Sequence, residues 1–393
     1  MTPGRPEVRL LDGRFYAGDP HPALAWLRAH EPVFWDDEGK LWGVTLHADV
    51  MAVSKDPDAF GNAGSSRPDA PPLPSMINRD DPEHRRRRNL VNRGFTPRRV
   101  QEREPRIREI CRALVARARE RGRFDFVRDV AAPLPMIVIG DMLGVRPEDH
   151  DALLRWSDDF ILATSSTASA ETAARAARSF AEYAAWCRDA VAERRARPTD
   201  DLLGVLVHAE IEGDRLTDEE LLHESLLILV GGDETTRHVI SGGMLALIEH
   251  PEQRSALARD PARIPAAVEE MLRWVTPIQN MNRTARRDVV LRGRRIRAGD
   301  KVLLLYVSAN RDETVFDRPF AFDAARRPND HVAFGGYGAH FCLGASLARL
   351  ELRVLFEEIL AGLSALRVVP GAELPKRPSN FIVGLESMPV EVV

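Results

Sequence analysis

Cysteine is scarce in this chain of 393 residues, which has only Cys111, Cys187 and Cys342. Three cysteines cannot form a disulfide framework, and without a C-x-x-C pair nothing points to structural zinc. Long apolar runs are missing as well; none approaches the roughly 18 residues that a membrane helix needs. The N-terminal MTPGRPEVRLLDGRFYAGD lacks the basic-then-apolar order of a secretion signal. Together these absences predict a cytoplasmic protein with no membrane partner. An excess of one charge is also lacking: the net charge is −4, which gives no reason to expect nucleic acid as a partner. No internal repeat and no interdomain linker interrupts the chain, so a single domain spanning residues 1–393 is expected. A hydrophobic content of 44% with 29% charged residues suffices for a large core.

What is present concentrates in a few stretches. Residues 334–351 read FGGYGAHFCLGASLARLE. Gly335, Gly336 and Gly338 allow tight turning and close approach to a flat partner. Beyond Cys342 the apolar residues Leu343, Leu347, Leu350, Val354 and Leu355 recur at spacings of three and four, which predicts a helix. A cysteine at a helix N-terminus meets backbone N–H groups and the positive end of the dipole, both of which favour thiolate. A lone thiolate suits a soft metal whose other positions are filled from outside the protein. A solitary cysteine is more commonly a small buried hydrophobe. Three glycines and His340 ahead of it make poor core chemistry, and they suit a haem cradle with His340 within reach of a propionate.

The stretch TDEELLHESLLILVGGDETTRHVISGGMLALIEH, residues 217–250, opens on a capping box at Thr217 and Glu220. It predicts a helix of about 30 residues, roughly 45–50 Å long, apolar on most sides. Gly231, Gly232, Asp233, Glu234, Thr235 and Thr236 break that pattern. Each glycine costs about 1 kcal/mol relative to alanine in a helix, and buried acids and threonines need partners. The glycines can serve only close packing, with the polar group forming an internal network. Several local rules broken together point instead to a site, with a loosened turn, the Thr235 hydroxyl and Glu234 as a proton carrier.

Residues 81–99, DPEHRRRRNLVNRGFTPRR, begin with Asp81 as N-cap and Pro82 in the first turn. His84 and Arg88 are four apart and share a face. The remaining arginines form either a solvated surface or a docking patch. Glu270 and Arg273 are three apart on another predicted helix, a pairing that by itself says nothing. Elsewhere a helix is expected over residues 21–35, a strand near 41–45, a small antiparallel sheet joining residues 289–291 and 301–307, a helix near 48–55, irregular chain over 61–74, and nearly continuous helix from 100 to 210 with a break at 165–169. The segment FIVGLESMPVEV predicts two short strands around a turn near 384–388.

The cysteine stretch resembles the cytochrome P450 family, whose loop reads Phe-x-x-Gly-x-His-x-Cys-x-Gly. Gly338, His340, Cys342 and Gly344 match in register. The family phenylalanine falls at Gly335, whereas this chain's Phe334 comes one residue early. GGDETT resembles the family's Gly-Gly-x-acid-Thr-Thr signature. Glu270, Arg273 and Arg326 are similar to its Glu-x-x-Arg network and later arginine. The likeness runs from about Phe15 to Val392, with four separated motifs in the family's order.

The resemblance implies a mainly α fold with small segregated β-sheets (α+β), in which haem b lies between a long central helix and the Cys-loop helix. Cys342 would be the iron's thiolate ligand, pushing electron density toward O–O cleavage. Phe334, Gly335, Gly336 and Gly344 would surround it, while His84, Arg88, His340 and Arg283 would hold propionates. Gly231 and Gly232 would groove the central helix for dioxygen, and Glu234 and Thr235 would deliver protons. Glu270, Arg273 and Arg326 would form a buried structural network. Ile278, Gln279, Asn280 and Met281 would line the substrate pocket.

The implied activity is hydroxylation or epoxidation of a hydrophobic small molecule, a macrolide-like polyketide or a steroid or terpenoid. Electrons would pass singly from NAD(P)H through a reductase and a ferredoxin docked on the basic proximal face of a monomer. Alternatives are a peroxide-driven peroxygenase, a member that couples or rearranges its substrate, and a haem sensor or carrier without turnover.

Overall fold

The structure is a computed structural model, and it describes residues 4–163, 169–363 and 365–393. Its axis is the helix Asp218–Glu249, 32 residues long and so about 48 Å from end to end. The capping box is present as the sequence requires: the Thr217 hydroxyl accepts from Glu220 N, and the Glu220 carboxylate accepts from Thr217 N. Two of its glycines, Gly242 and Gly243, let the helix Ile264–Val275 approach closely. A Cβ on either would come within 3 Å of Val275 or Met271 side-chain carbons. That second helix turns Ile264, Ala267, Val268, Met271 and Leu272 inward at spacings of three and four, so one face is buried and the other is not.

Around this pair pack the helices Glu104–Arg121, Pro133–Leu143, His150–Ala163, Ala170–Ala196 and Ala345–Gly362. The largest hydrophobic core lies among them and takes in Phe126, Leu134, Leu229, Leu352 and Phe356. A five-stranded sheet stands apart, in the order β1(Val33–Asp36), β2(Leu41–Val44), β8(Lys301–Leu305), β5(Asn280–Ala285), β3(Phe60–Gly61). The β2–β8 pair is parallel, with Trp42 opposite Val302, and the other pairs are antiparallel. A three-stranded sheet joins β4(Arg123–Asp125), β10(Pro389–Val392) and β9(Leu366–Val368), and a hairpin pairs β6(Val289–Leu291) with β7(Arg294–Ile296). Helices and sheets are thus segregated.

Several local expectations need correction. The helix expected over 21–35 stops at His30, and residues 33–36 form β1, because Val33 and Phe34 are buried in separate cores, as strand alternation allows. The 301–305 strand does not join the 289–291 hairpin but inserts between β2 and β5, burying Val302, Leu303, Leu304 and Leu305. The C-terminal segment holds one strand, Pro389–Val392; residues 382 and 385 make only isolated bridges. Of the break expected at 165–169, residues 165–168 lie outside the described residues, and Ser169 caps the next helix. The turn at Gly231 is not opened. The helix runs through it without interruption, and the Thr235 hydroxyl donates to Gly231 O at 3.1 Å.

Glu270, Arg273 and Arg326 meet in the interior. Arg273 Nη2 donates to Glu270 Oε1 (2.6 Å) and Arg326 Nε to Glu270 Oε2 (3.0 Å). Glu270 and Arg273 are both 0% exposed. The guanidinium of Arg273 also reaches the carbonyls of Asn310, Pro319 and Ala321, tying down the chain that leads to the cysteine loop.

Candidate active site

A large cavity lies between the middle of the central helix and the Cys342 loop. Gly231, Gly232 and Thr235 line it on one side; Phe334, Gly335, Cys342 and Gly344 line it on the other. The cysteine loop absorbs its early phenylalanine through two residues in left-handed backbone: Gly335 (φ 96°) and Tyr337 (φ 56°). The longer loop still closes on itself, since Cys342 N donates to Phe334 O at 3.0 Å. The Phe334 ring lies under the Arg349 guanidinium, 4.6 Å from its centroid, and Arg349 is fixed by Glu269.

Cys342 is exposed, but its free surface faces the cavity rather than bulk water. Burial from bulk water pushes its thiol up, and the N–H groups of Gly344 and Ala345 with the Arg88 and Arg349 charges pull only partly the other way. The helix N-terminus alone therefore does not make the thiolate expected from sequence. A bound cation does, because a coordinating thiol is deprotonated outright. Cys111 and Cys187 are buried in the core. Among the described residues no group of three or more His, Cys, Asp or Glu is placed to hold a metal ion. A metal at Cys342 must therefore bring its other ligands with it.

The rim of the cavity is cationic. His84 stacks on His340 with ring centroids 3.8 Å apart, and Arg88 and Arg283 line the same wall. Arg283 is buried, donating to Asn282 O, and no carboxylate faces it within ion-pair distance among the described residues. His84 Nε2 is buried without a partner. Burial first, and then the charges of His84, Arg283 and Arg88, push the His340 imidazole down to about 2. Buried cations without counter-ions are costly. A flat macrocycle with two carboxylates supplies what this rim lacks, and its iron supplies what Cys342 lacks. The residues present therefore fit a haem.

Other expected residues lie elsewhere. Gly336 does not line the cavity: a Cβ there would lie 2.3 Å from Ser54 Oγ, and one on Gly338 would lie 1.8 Å from Ser54 O. These two glycines answer to helix His47–Lys55, not to a flat partner. Ile278 and Met281 line the cavity, whereas Gln279 and Asn280 point away from it. Asn280 receives Arg67 and donates to Asn380 O, because β-strand alternation sends it to the opposite face. Of the arginine run, Arg86 and Arg87 turn to Asp214, Glu220 and Glu224 near the start of the central helix. Arg85, Arg93 and Arg98 remain at the surface.

Glu234 sits beside the cavity wall rather than on it. Its Oε1 accepts from Arg377 Nη1 (2.7 Å) and faces His238 Nε2 (3.2 Å). Burial raises its carboxyl, but the His238 hydrogen bond and the charges of His238, Arg377 and Arg237 outweigh burial and hold it below the ordinary carboxylate range. The His238 partnership was readable from its spacing of four. Arg377, 143 residues away, had no signal. Neither had the clamp that holds helix His150–Ala163 to the central helix. There Ser157 Oγ donates to Asp233 Oδ2 (3.0 Å), and Arg237 bridges Asp233 and Asp158.

The family model for cytochrome P450 matches residues 46–391. A steroid C26-monooxygenase of Mycolicibacterium smegmatis is 50% identical over 387 residues, covering 98% of this chain and 96% of that protein. A methyl-branched lipid omega-hydroxylase of Mycobacterium bovis is 39% identical over 94% of this chain and 88% of its own length. Among solved structures, CYP109E1 from Bacillus megaterium in complex with testosterone superposes with a TM-score of 0.87. It is 34% identical and covers 95% of this chain and 99% of that one.

Proposed function

The chain belongs to the cytochrome P450 family and is a monooxygenase, and we propose that it hydroxylates the end of a steroid side chain. The observation that carries this reading is the 50% identity, over nearly the full length, to a steroid C26-monooxygenase. C26 exists only in steroids that keep a long alkyl side chain, so the substrate is a sterol of the cholesterol type. The cavity suits it: Met76, Ile77, Phe95, Ile139, Leu227 and Ile228 present an almost wholly apolar surface, which such a hydrocarbon fills by the hydrophobic effect. A second reading, omega-hydroxylation of a methyl-branched lipid, is favoured by the 39% identity to a methyl-branched lipid omega-hydroxylase. Both place oxygen on a terminal carbon.

Bound haem supplies the oxidising chemistry. Cys342 would hold its iron, His84, Arg88, His340 and Arg283 would take its carboxylates, and the apolar wall excludes water. Thr235 presents its hydroxyl at the cavity surface, one residue from Glu234, which passes protons toward it. Electrons come from NAD(P)H through a reductase and a ferredoxin that docks near the cysteine loop. Three cysteines are one short of an iron–sulfur set within this chain. Arg85, Arg93 and Arg98 offer an acidic ferredoxin its first electrostatic contact.

The test is a visible-absorption titration of the ferric protein with cholesterol, a methyl-branched fatty acid and a macrolide. Cholesterol is expected to shift the iron from low to high spin at the lowest concentration, because displacing the iron's water produces that change. A shift with the fatty acid alone transfers the function to the second reading. A response only to the macrolide overturns both.

Thr235→Ala is expected to keep consuming NADH while product per NADH falls roughly tenfold or more, with hydrogen peroxide making up the difference. Unchanged product per NADH removes Thr235 from proton delivery.

A further inference from the structure

A second cavity, of about 320 Å³, adjoins the far side of the central helix. Its mouth is at the surface, where Asp19, Lys376 and Phe320 are exposed, and its inner end is closed by His238 and Gly242. His238 is 1% exposed. Its Nε2 faces Glu234 Oε1 at 3.2 Å, while its Nδ1 is buried without a protein partner. The imidazole thus stands between a partly polar chamber large enough for several waters and the acid beside Thr235. We propose that His238 is a proton relay, carrying protons from this side chamber to Glu234. The proposal rests on the reading of Glu234 as the proton carrier.

Glu234 has two hydrogen-bonding neighbours, and they differ in one decisive respect. Arg377 leads to the surface through Glu386, which its Nε contacts at 2.8 Å. A guanidinium stays protonated in proteins and cannot pass a proton on. Arg377 therefore positions Glu234 and holds it ionised. Imidazole gives a proton from one nitrogen while taking one at the other, near neutral pH. A carboxylate held ionised must be recharged at each turnover, and His238 is the contact able to do it.

The step balances. Chamber water gives a proton to Nδ1, Nε2–H gives its proton to Glu234, and bulk solvent neutralises the hydroxide left in the chamber. A half-turn of the ring then restores the first tautomer. Each dioxygen consumes two protons and two electrons; one oxygen atom leaves as water and the other in the product hydroxyl. The other charged or titratable groups lining the chamber are Tyr16, Asp19, His21, Glu249, Arg311 and Lys376. His238 acts through Glu234 and touches neither substrate nor cofactor.

The experiment measures dioxygen uptake by the reconstituted holoenzyme with cholesterol, so it does not hinge on which carbon is oxidised. His238→Gln is expected to lower kcat about tenfold, to leave KM unchanged and to enlarge the solvent deuterium isotope effect. Glu386→Gln should leave all three unchanged. If Glu386→Gln slows turnover and His238→Gln does not, the relay is wrong and protons enter on the Arg377 side. If Glu234→Gln has no effect, the reading of Glu234 falls first, and the relay with it.

A second readout is independent of turnover. In the diamagnetic ferrous carbon-monoxide form, the 15N-histidine signal missing from His238→Gln should exchange its N–H proton with solvent deuterium and should move in Glu234→Gln. A signal that does neither overturns the proposal. Should His238→Gln fail to fold, Leu245→Trp fills the chamber without touching the relay. It is expected to enlarge the isotope effect likewise, and an unchanged effect refutes the route.

Discussion

Cys342→Ser is expected to leave the fold intact and to abolish both the thiolate-type carbon-monoxide spectrum and the formation of product. The substitution exchanges sulfur for oxygen at a side chain whose free surface faces only the cavity, so packing elsewhere is undisturbed. The chemistry is not conserved. A serine hydroxyl is far less acidic than a thiol and lacks the soft donor character that the iron of a monooxygenase requires. The neighbours that assist the cysteine, the Gly344 and Ala345 N–H groups and Arg88 and Arg349, cannot make an alkoxide of it at neutral pH. Product should fall about a thousandfold or more, which corresponds to about 4 kcal/mol in the barrier. Haem retention is a separate readout, because the rim formed by His84, Arg88, His340 and Arg283 does not depend on the sulfur. A variant that keeps the thiolate spectrum would remove Cys342 as the axial ligand.

Glu270→Ala should lower stability by about 3–5 kcal/mol, the cost of leaving a buried ion pair without one partner. Two guanidiniums lose their counter-ion at once, and Arg273 is 0% exposed. Asp323 N and Asn329 Nδ2 lose an acceptor as well. The damage should propagate, because Arg273 carries the carbonyls of Asn310, Pro319 and Ala321 on the approach to the cysteine loop. Urea denaturation of the holoenzyme measures the loss, and haem content measured alongside it should fall. A decrease of less than about 1 kcal/mol would mean that the pair behaves like a surface salt bridge.

Motifs that carry their chemistry within a few residues were legible in the sequence. The capping box at Thr217, the helix after Cys342 and the pairing of Glu270 with Arg273 are all fixed by spacings of three or four. Arg326 joined them through the family resemblance. Partnerships across the chain were not legible. Arg377 reaches Glu234 from the C-terminal segment, and Ser157 reaches Asp233 from another helix. Sheet membership failed for a related reason. Residues 301–305 carry the same apolar pattern whichever strand they pair with, and only burial against β2 and β5 decides the matter. The glycines misled in a subtler way. Close approach was the right inference for Gly336 and Gly338, but what approaches is the helix at Ser54 rather than a cofactor.

That contact makes the cysteine loop a joint property of two distant parts of the gene. A designer who grafts residues 334–344 into another scaffold must also bring a helix whose surface is cut to receive two bare glycines. The same dependence links the loop to lineage history. A larger residue at position 336 or 338 is admissible only after the facing helix has withdrawn, so the two segments are expected to change in step or not at all.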